Sequence, residues 1–120
     1  MKKILIVDDE PSIVMSLEYL LRRKRFDVLI ARNGTEALET LGKVQPELIL
    51  LDIMMPDVDG YEICEYVKNS PTLKHIKVIF LSAKSKKSDI EKGLELGADA
   101  YIVKPFSTKD LLKKINELLN

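Results

Sequence analysis

The residues of this chain that could do chemistry stand just behind its apolar runs. "ILIV" is followed by Asp8, Asp9 and Glu10, "LILL" by Asp52, "VIFL" by Ser82, and "YIV" by Lys104 and Pro105. A charge placed directly after an uninterrupted aliphatic run is costly to bury unless something pairs with it. Singly, each has a bland reading, since an Asp after a strand commonly serves a turn and a Lys before a Pro is commonly a surface side chain. Together they form a chemical set. Carboxylates gathered in one crevice repel one another and persist when cations join them. Lys104 is one such cation. The rest suits a small hard ion such as Mg²⁺, which takes carboxylate and carbonyl oxygens and keeps several waters. A divalent ion beside a carboxylate, with a hydroxyl and an ammonium nearby, is equipment for holding a phosphoryl group. No Ser–His or Cys–His pair competes as nucleophile, which leaves Asp52, and aspartyl phosphate is known carboxylate chemistry.

For these residues to meet, the chain must bring several strand ends to one place. Five short β-branched and aliphatic runs are the strand candidates: residues 3–7, 27–31, 47–51, 77–81 and 100–103. Most lack alternation, which points to strands covered on both faces. Amphipathic stretches separate them. The first runs from Pro11 to about Arg25, the second over about 34–44, the third over 60–69 up to Pro71. The fourth starts near Ser88, where "SDIE" fits a capping box, and stops at Gly97; the fifth starts at Ser107, where "STKD" fits the same box. Leu111, Leu112, Ile115, Leu118 and Leu119 share one face of that last helix. Five β–α repeats predict right-handed crossovers and an α/β fold, a doubly wound parallel sheet with helices on both faces. In such a sheet all the C-terminal strand ends lie along one edge, where ligands bind. Asp8, Asp9, Asp52, Ser82 and Lys104 then converge.

Composition narrows the function. The 120 residues predict one domain, 1–120, and 46% hydrophobic residues suffice for a core. Nineteen basic and nineteen acidic residues cancel, which removes the main electrostatic reason for direct nucleic-acid or anionic-membrane binding. The single Cys64 forms no internal disulfide and fits a reducing, cytoplasmic setting. The apolar run at the N-terminus is too short for a signal peptide, and no run approaches a membrane span.

The motifs "ILIVDDE", "LILLDIMMPDVDG", "VIFLSA" and "AYIVKPF" closely resemble the receiver domain of two-component response regulators, and the resemblance extends from Lys3 to the last helix. It implies a five-stranded flavodoxin-like sheet of order 2-1-3-4-5, the order of the family's chemotaxis regulator. It implies phosphorelay signalling: Asp52 accepts phosphate from a sensor histidine kinase or histidine phosphotransfer protein, and the conformational switch controls an effector domain or target protein. It makes the chain a switch rather than an enzyme, with only its own phosphorylation and dephosphorylation to catalyse. It implies Mg²⁺, with Mn²⁺ able to substitute, on Asp9, Asp52 and the Met54 backbone carbonyl, with Asp8 holding a water ligand. Ser82 and Lys104 contact the phosphoryl oxygens, the Lys104–Pro105 bond is cis, and Tyr101 is the switch aromatic that turns inward as Ser82 moves. A monomer before phosphorylation, with dimerisation on phosphorylation as an option, fits the same pattern.

Other residues have structural readings. His75 precedes the fourth strand at the edge opposite the acids and is a solvated loop residue. Cys64 is a small apolar residue on a helix, and "RRKR" is a solvated helix end. On the first helix Ile13, Leu17, Leu20 and Leu21 form the buried stripe, Val14 lies on its flank, and Met15 points away. Because this helix starts beside the crevice, where kinases of the family dock, Val14 and Met15 are the expected kinase contacts. The output face is expected on the fourth helix, fifth strand and fifth helix. Repulsion among the acids predicts that Asp9→Asn stabilises the metal-free chain. A phosphatase with an aspartyl nucleophile is disfavoured by "DDEPS" in place of a first-strand D-x-D motif. A flavodoxin-like carrier is disfavoured by three acids where a Gly- and hydroxyl-rich phosphate loop is needed, and a mere docking module by the complete acid set.

Overall fold

The computed structural model describes all residues, Met1 to Asn120. Strands β1 (Lys3–Val7), β2 (Asp27–Ala31), β3 (Leu48–Leu51), β4 (Lys77–Ser82) and β5 (Ala100–Val103) alternate with helices α1 (Pro11–Arg23), α2 (Gly34–Leu41), α3 (Gly60–Asn69), α4 (Lys87–Glu95) and α5 (Thr108–Leu119). All strands pair in parallel, in the order β2-β1-β3-β4-β5. The expected doubly wound sheet is therefore present, with strand bounds within a residue of those read from the apolar runs. The order reverses between β1 and β3.

Successive strand residues feed opposite faces, so the sheet carries two cores. Ile4, Ile6, Leu48, Leu50, Ile79 and Leu81 meet α1 and α5, whose buried residues are Val14, Leu17, Leu21, Leu111 and Ile115. Leu5, Val7, Ile49, Leu51, Val78 and Phe80 meet Ala37 and Leu41 of α2 and Ile63, Cys64 and Val67 of α3. Cys64 is wholly buried, as its apolar reading requires, and His75 is exposed before β4.

Two local readings need correction. On α1, Val14 is 4% exposed and belongs to the core, while Ile13 and Leu20 are only half-buried. The buried stripe is Val14–Leu17–Leu21, spaced three and four, rotated from the stripe that the helical wheel centred between Ile13 and Leu20. Helix α4 begins at Lys87 rather than Ser88, because Asp89 is the residue that reaches back and accepts the Lys86 amide, at 3.3 Å. At α5 the cap is Ser107 as expected, accepting the Asp110 amide at 3.2 Å.

Helices α1 and α4 end in the same backbone motif with different residues at its critical position. After α4, Gly97 sits at φ +105°, with Gly97 N donating to Leu94 O and Ala98 N to Gly93 O. After α1, Arg25 occupies the corresponding place at φ 66°, with Arg25 N donating to Arg22 O and Phe26 N to Leu21 O. A left-handed residue with a Cβ carries a steric cost that glycine lacks. Arg25 is exposed and its side chain makes no hydrogen bond or ion pair to lose. Arg25→Gly should therefore raise unfolding free energy by about 0.5 kcal/mol, the steric relief less the greater chain entropy of glycine. Urea denaturation with an unchanged m-value checks this; equal or lower stability contradicts it.

Candidate functional site: the acidic edge of the sheet

Each site residue is delivered by a strand end and held there by a backbone bond to the neighbouring strand. Val7 pairs with Leu51 in register. Just beyond this pair, Asp52 N donates to Val7 O at 2.9 Å and Asp8 N to Ala31 O at 3.2 Å. Ser82 pairs with Val103, and Lys104 N donates to Ser82 O at 2.8 Å. The next peptide, Lys104–Pro105, is cis, as the motif implies. The loop after Asp52 folds tightly back beneath it. Gly60 N donates to Ile53 O at 2.9 Å, and a Cβ on Gly60 would lie 2.2 Å from the Asp52 carbonyl oxygen. Only glycine allows that closure.

The side chains then meet. Lys104 Nζ lies 2.9 Å from Asp8 Oδ2, 3.4 Å from Glu10 Oε1 and 3.9 Å from Asp52 Oδ2. Asp8 and Asp52 are 2% and 6% exposed, and Ser82 is fully buried. Asp52 Oδ1 accepts the Ile53 amide at 2.8 Å, and Asp8 Oδ1 accepts the Glu10 amide at 2.9 Å. In each carboxylate the second oxygen is left to the crevice. Ser82 Oγ accepts the Lys84 amide at 3.2 Å, and its hydroxyl lies beside that of Tyr101. Tyr101 donates its hydroxyl to Lys84 O at 2.7 Å.

Burial pushes the Asp52 carboxyl up to about 6; Lys104 opposes this, and Asp8 and Asp9 reinforce it. Burial alone would lower the Lys104 ammonium, but its hydrogen bond to Asp8 and the charge of Asp52 hold it above its usual value. One ammonium thus faces an excess of carboxylate charge.

Of the acids after β1, Asp8 and Glu10 join Asp52 in a cluster whose oxygens lie within 4.8 Å of one another. Asp9 is exposed and lines the adjoining depression with Met54, Asp59 and Lys84. The all-oxygen donor set and its surplus negative charge fit a small divalent cation. Glu10, on the rim, was not singled out by its spacing; its contact with Lys104 depends on the turn that starts α1. Asp57 was missed as well. From the β3–α3 loop it accepts Gly34 N at 3.0 Å and Thr35 N at 2.8 Å, and pins that loop to the start of α2. The Thr35 hydroxyl and amide hold its carboxyl well below the usual range. An aspartate three residues before the apolar face of α3 gives no sequence sign of a partner on α2.

The description "response regulator receiver domain" matches residues 4–116 of the chain. The chain belongs to the response regulator receiver domain family. It is 42% identical to the alkaline phosphatase synthesis transcriptional regulatory protein PhoP of Bacillus subtilis over 118 residues, 98% of this chain and 48% of PhoP. It is 45% identical to the probable transcriptional regulator ycf27 of Porphyridium aerugineum, with the same coverage. The CheY-like response regulator receiver domain protein of Methanospirillum hungatei superposes with a TM-score of 0.93 at 35% identity, covering 99% of this chain and 94% of that one. The chain spans about half the length of the curated relatives it matches. Receiver domains are signalling switches of two-component systems, and this one carries the acidic pocket on which such switching rests. None of its helices is long and apolar enough to cross a membrane.

The charge strain among these acids is carried by Asp52, and Asp9 adds to it. Unfolded, Asp52 ionises at its ordinary 3.8; folded and metal-free, at about 6. Below 3.8 both states hold the proton and there is no penalty. As pH rises toward 6, unfolding releases the proton and is favoured, and above 6 the full penalty applies. Without metal, Asp52→Asn should be more stable than the parent by about 3 kcal/mol at pH 7.5, with the gap closing near pH 4. Paired denaturation curves in chelator across this range test it; a gap independent of pH rejects it.

Proposed function

We propose that this receiver accepts a phosphoryl group on Asp52 from the phosphohistidine of a sensor kinase or a histidine phosphotransfer protein. The observation that carries the reading is the Asp52 side chain itself: nearly buried, with Oδ1 committed to the Ile53 amide and Oδ2 open toward Lys104. Oδ2 attacks phosphorus, the bond from phosphorus to the donor imidazole breaks, and the leaving nitrogen takes a proton from solvent. Lys104 follows the charge onto the phosphoryl oxygens. Ser82 turns its hydroxyl proton to the same oxygens.

Mg²⁺, when bound, supplies the additional positive charge that phosphoryl oxygens require. Asp52, Asp9 and the Met54 carbonyl would hold it, with Asp8 acting through a water and Glu10 as a further acid of the cluster. The resulting aspartyl phosphate gives Lys104 and Ser82 a new partner, and the loop from Ser82 to Lys84 with Tyr101 carries the change to the face formed by α4, β5 and α5. An effector segment or a separate target protein reads that face. Met15, 69% exposed on α1 beside the crevice, is the kinase contact; the buried Val14 supports the helix from within and is withdrawn as a docking residue.

Incubation with acetyl phosphate and Mg²⁺ should add one phosphoryl group by intact mass, and Asp52→Asn should add none. Retention of the label in Asp52→Asn would falsify the assignment. Met15→Glu should slow transfer from the cognate histidine protein about tenfold while leaving acetyl phosphate labelling unchanged, a loss typical of one well-placed interface side chain. Equal transfer rates rule Met15 out of the interface.

A further inference from the structure

Helix α4 lacks an apolar anchor of its own. Its nine residues bury only Gly93. That glycine fits against the sheet because it has no side chain: a Cβ would lie 2.9 Å from the Phe80 ring and 3.1 Å from the Tyr101 ring. The hold on α4 comes from α3 instead. Tyr61, 8% exposed in the first turn of α3, packs edge-on against Phe80 at 5.6 Å between ring centres. Its hydroxyl donates to Asp89 O at 3.0 Å, in the first turn of α4. Lys92, three residues further along α4, sets its ammonium 4.3 Å from the centre of the same ring. Tyr101 packs on Phe80 as well, at 5.7 Å, and its hydroxyl holds Lys84 O in the loop that enters α4. Two tyrosines thus share one phenylalanine, and between them they tether both ends of residues 84–89.

A buried tyrosine hydroxyl always needs some partner. The partner here lies on the one helix whose position no hydrophobic stripe decides. Burial, with Tyr101 nearby, pushes the Tyr61 hydroxyl up to about 12, so it remains a donor throughout the neutral range.

We propose that Tyr61 is a positioning residue of the switch: through its hydroxyl on Asp89 and its ring beneath Lys92 it holds α4 in the arrangement in which Tyr101 lies inward on Phe80, and so sets how readily the phosphorylated state forms. This rests on the reading of Asp52 as phospho-acceptor and Tyr101 as switch aromatic. A contact made in the inward arrangement biases the equilibrium toward any ligand that prefers that arrangement, and its loss raises the ligand concentration needed.

The test is a titration with beryllofluoride, a phosphoryl mimic, in Mg²⁺, read at the backbone amides of α4 and separately at Ile53 beside Asp52. Tyr61→Phe keeps the ring and removes one neutral hydrogen bond; its midpoint should rise about fivefold. Lys92→Gln, at an exposed position, should shift the midpoint in the same direction by less. Combined with Tyr101→Phe, the shift should fall short of the sum of the two single shifts, because both hydroxyls hold one segment. A merely structural tyrosine would lower the melting point and leave the midpoint in place, so an unmoved midpoint in Tyr61→Phe overturns the proposal. An Ile53 amide that ignores beryllofluoride in the wild type overturns instead the acceptor reading beneath it, which separates the two failures.

Discussion

One ammonium group makes the site of this receiver foldable. Lys104 Nζ contacts Asp8, Glu10 and Asp52 at 2.9, 3.4 and 3.9 Å, with its side chain only 10% exposed. Without it, two buried carboxylates would face each other in a poorly solvated crevice, and leaving such charges unpaired costs several kcal/mol. The pairing is incomplete by construction, since a single positive charge answers three acids. The deficit is visible on Asp52, whose carboxyl is pushed to about 6. A site left short of positive charge favours the arrival of a cation, and the cation in turn favours the arrival of phosphate. The strand register and the backbone bond from Lys104 to Ser82 keep that ammonium in place, and the loop closing at Gly60 packs against the Asp52 backbone opposite it.

The two edges of the sheet are built to different standards of rigidity. At the edge away from the site, Lys68 Nζ donates to Ile76 O at 2.8 Å and to Asp99 Oδ2 at 3.0 Å, and the same carboxylate oxygen accepts Val78 N at 2.8 Å. This half-buried clamp ties α3, β4 and the turn after α4 together, beside the left-handed Gly97. Near the site, α4 is held by two tyrosine hydroxyls and a cation over a ring. The C-terminal end of α4 is therefore fixed and its N-terminal end lightly tethered. Elements with little buried apolar area are the ones that reposition at low cost. The loop that starts at Ser82 leads straight into that lightly held end.

The partition between what the chain alone reveals and what its folding decides follows from the range of the forces involved. Strand positions, the parallel order expected of β–α repeats, the cap at Ser107, the glycine ending α4 and the grouping of Asp8, Asp52, Ser82 and Lys104 at one edge were all legible. Each depends on local periodicity, on backbone preferences of single residues, or on a topological rule that sends every strand end the same way. The rest depends on rotation and reach. A helical wheel gives spacing but not its phase against the sheet, so Val14 was read as a flank and is core. Charge counting gives the sign of the crevice but not its shape, so Glu10 was passed over, although the turn into α1 brings it to Lys104. Asp57 on α2 and Tyr61 on α4 act across gaps of 22 to 28 residues, where no pattern in the chain connects donor to acceptor. Short-range stereochemistry is written along the sequence; the pairing of side chains from different elements exists only once the sheet has set their distances.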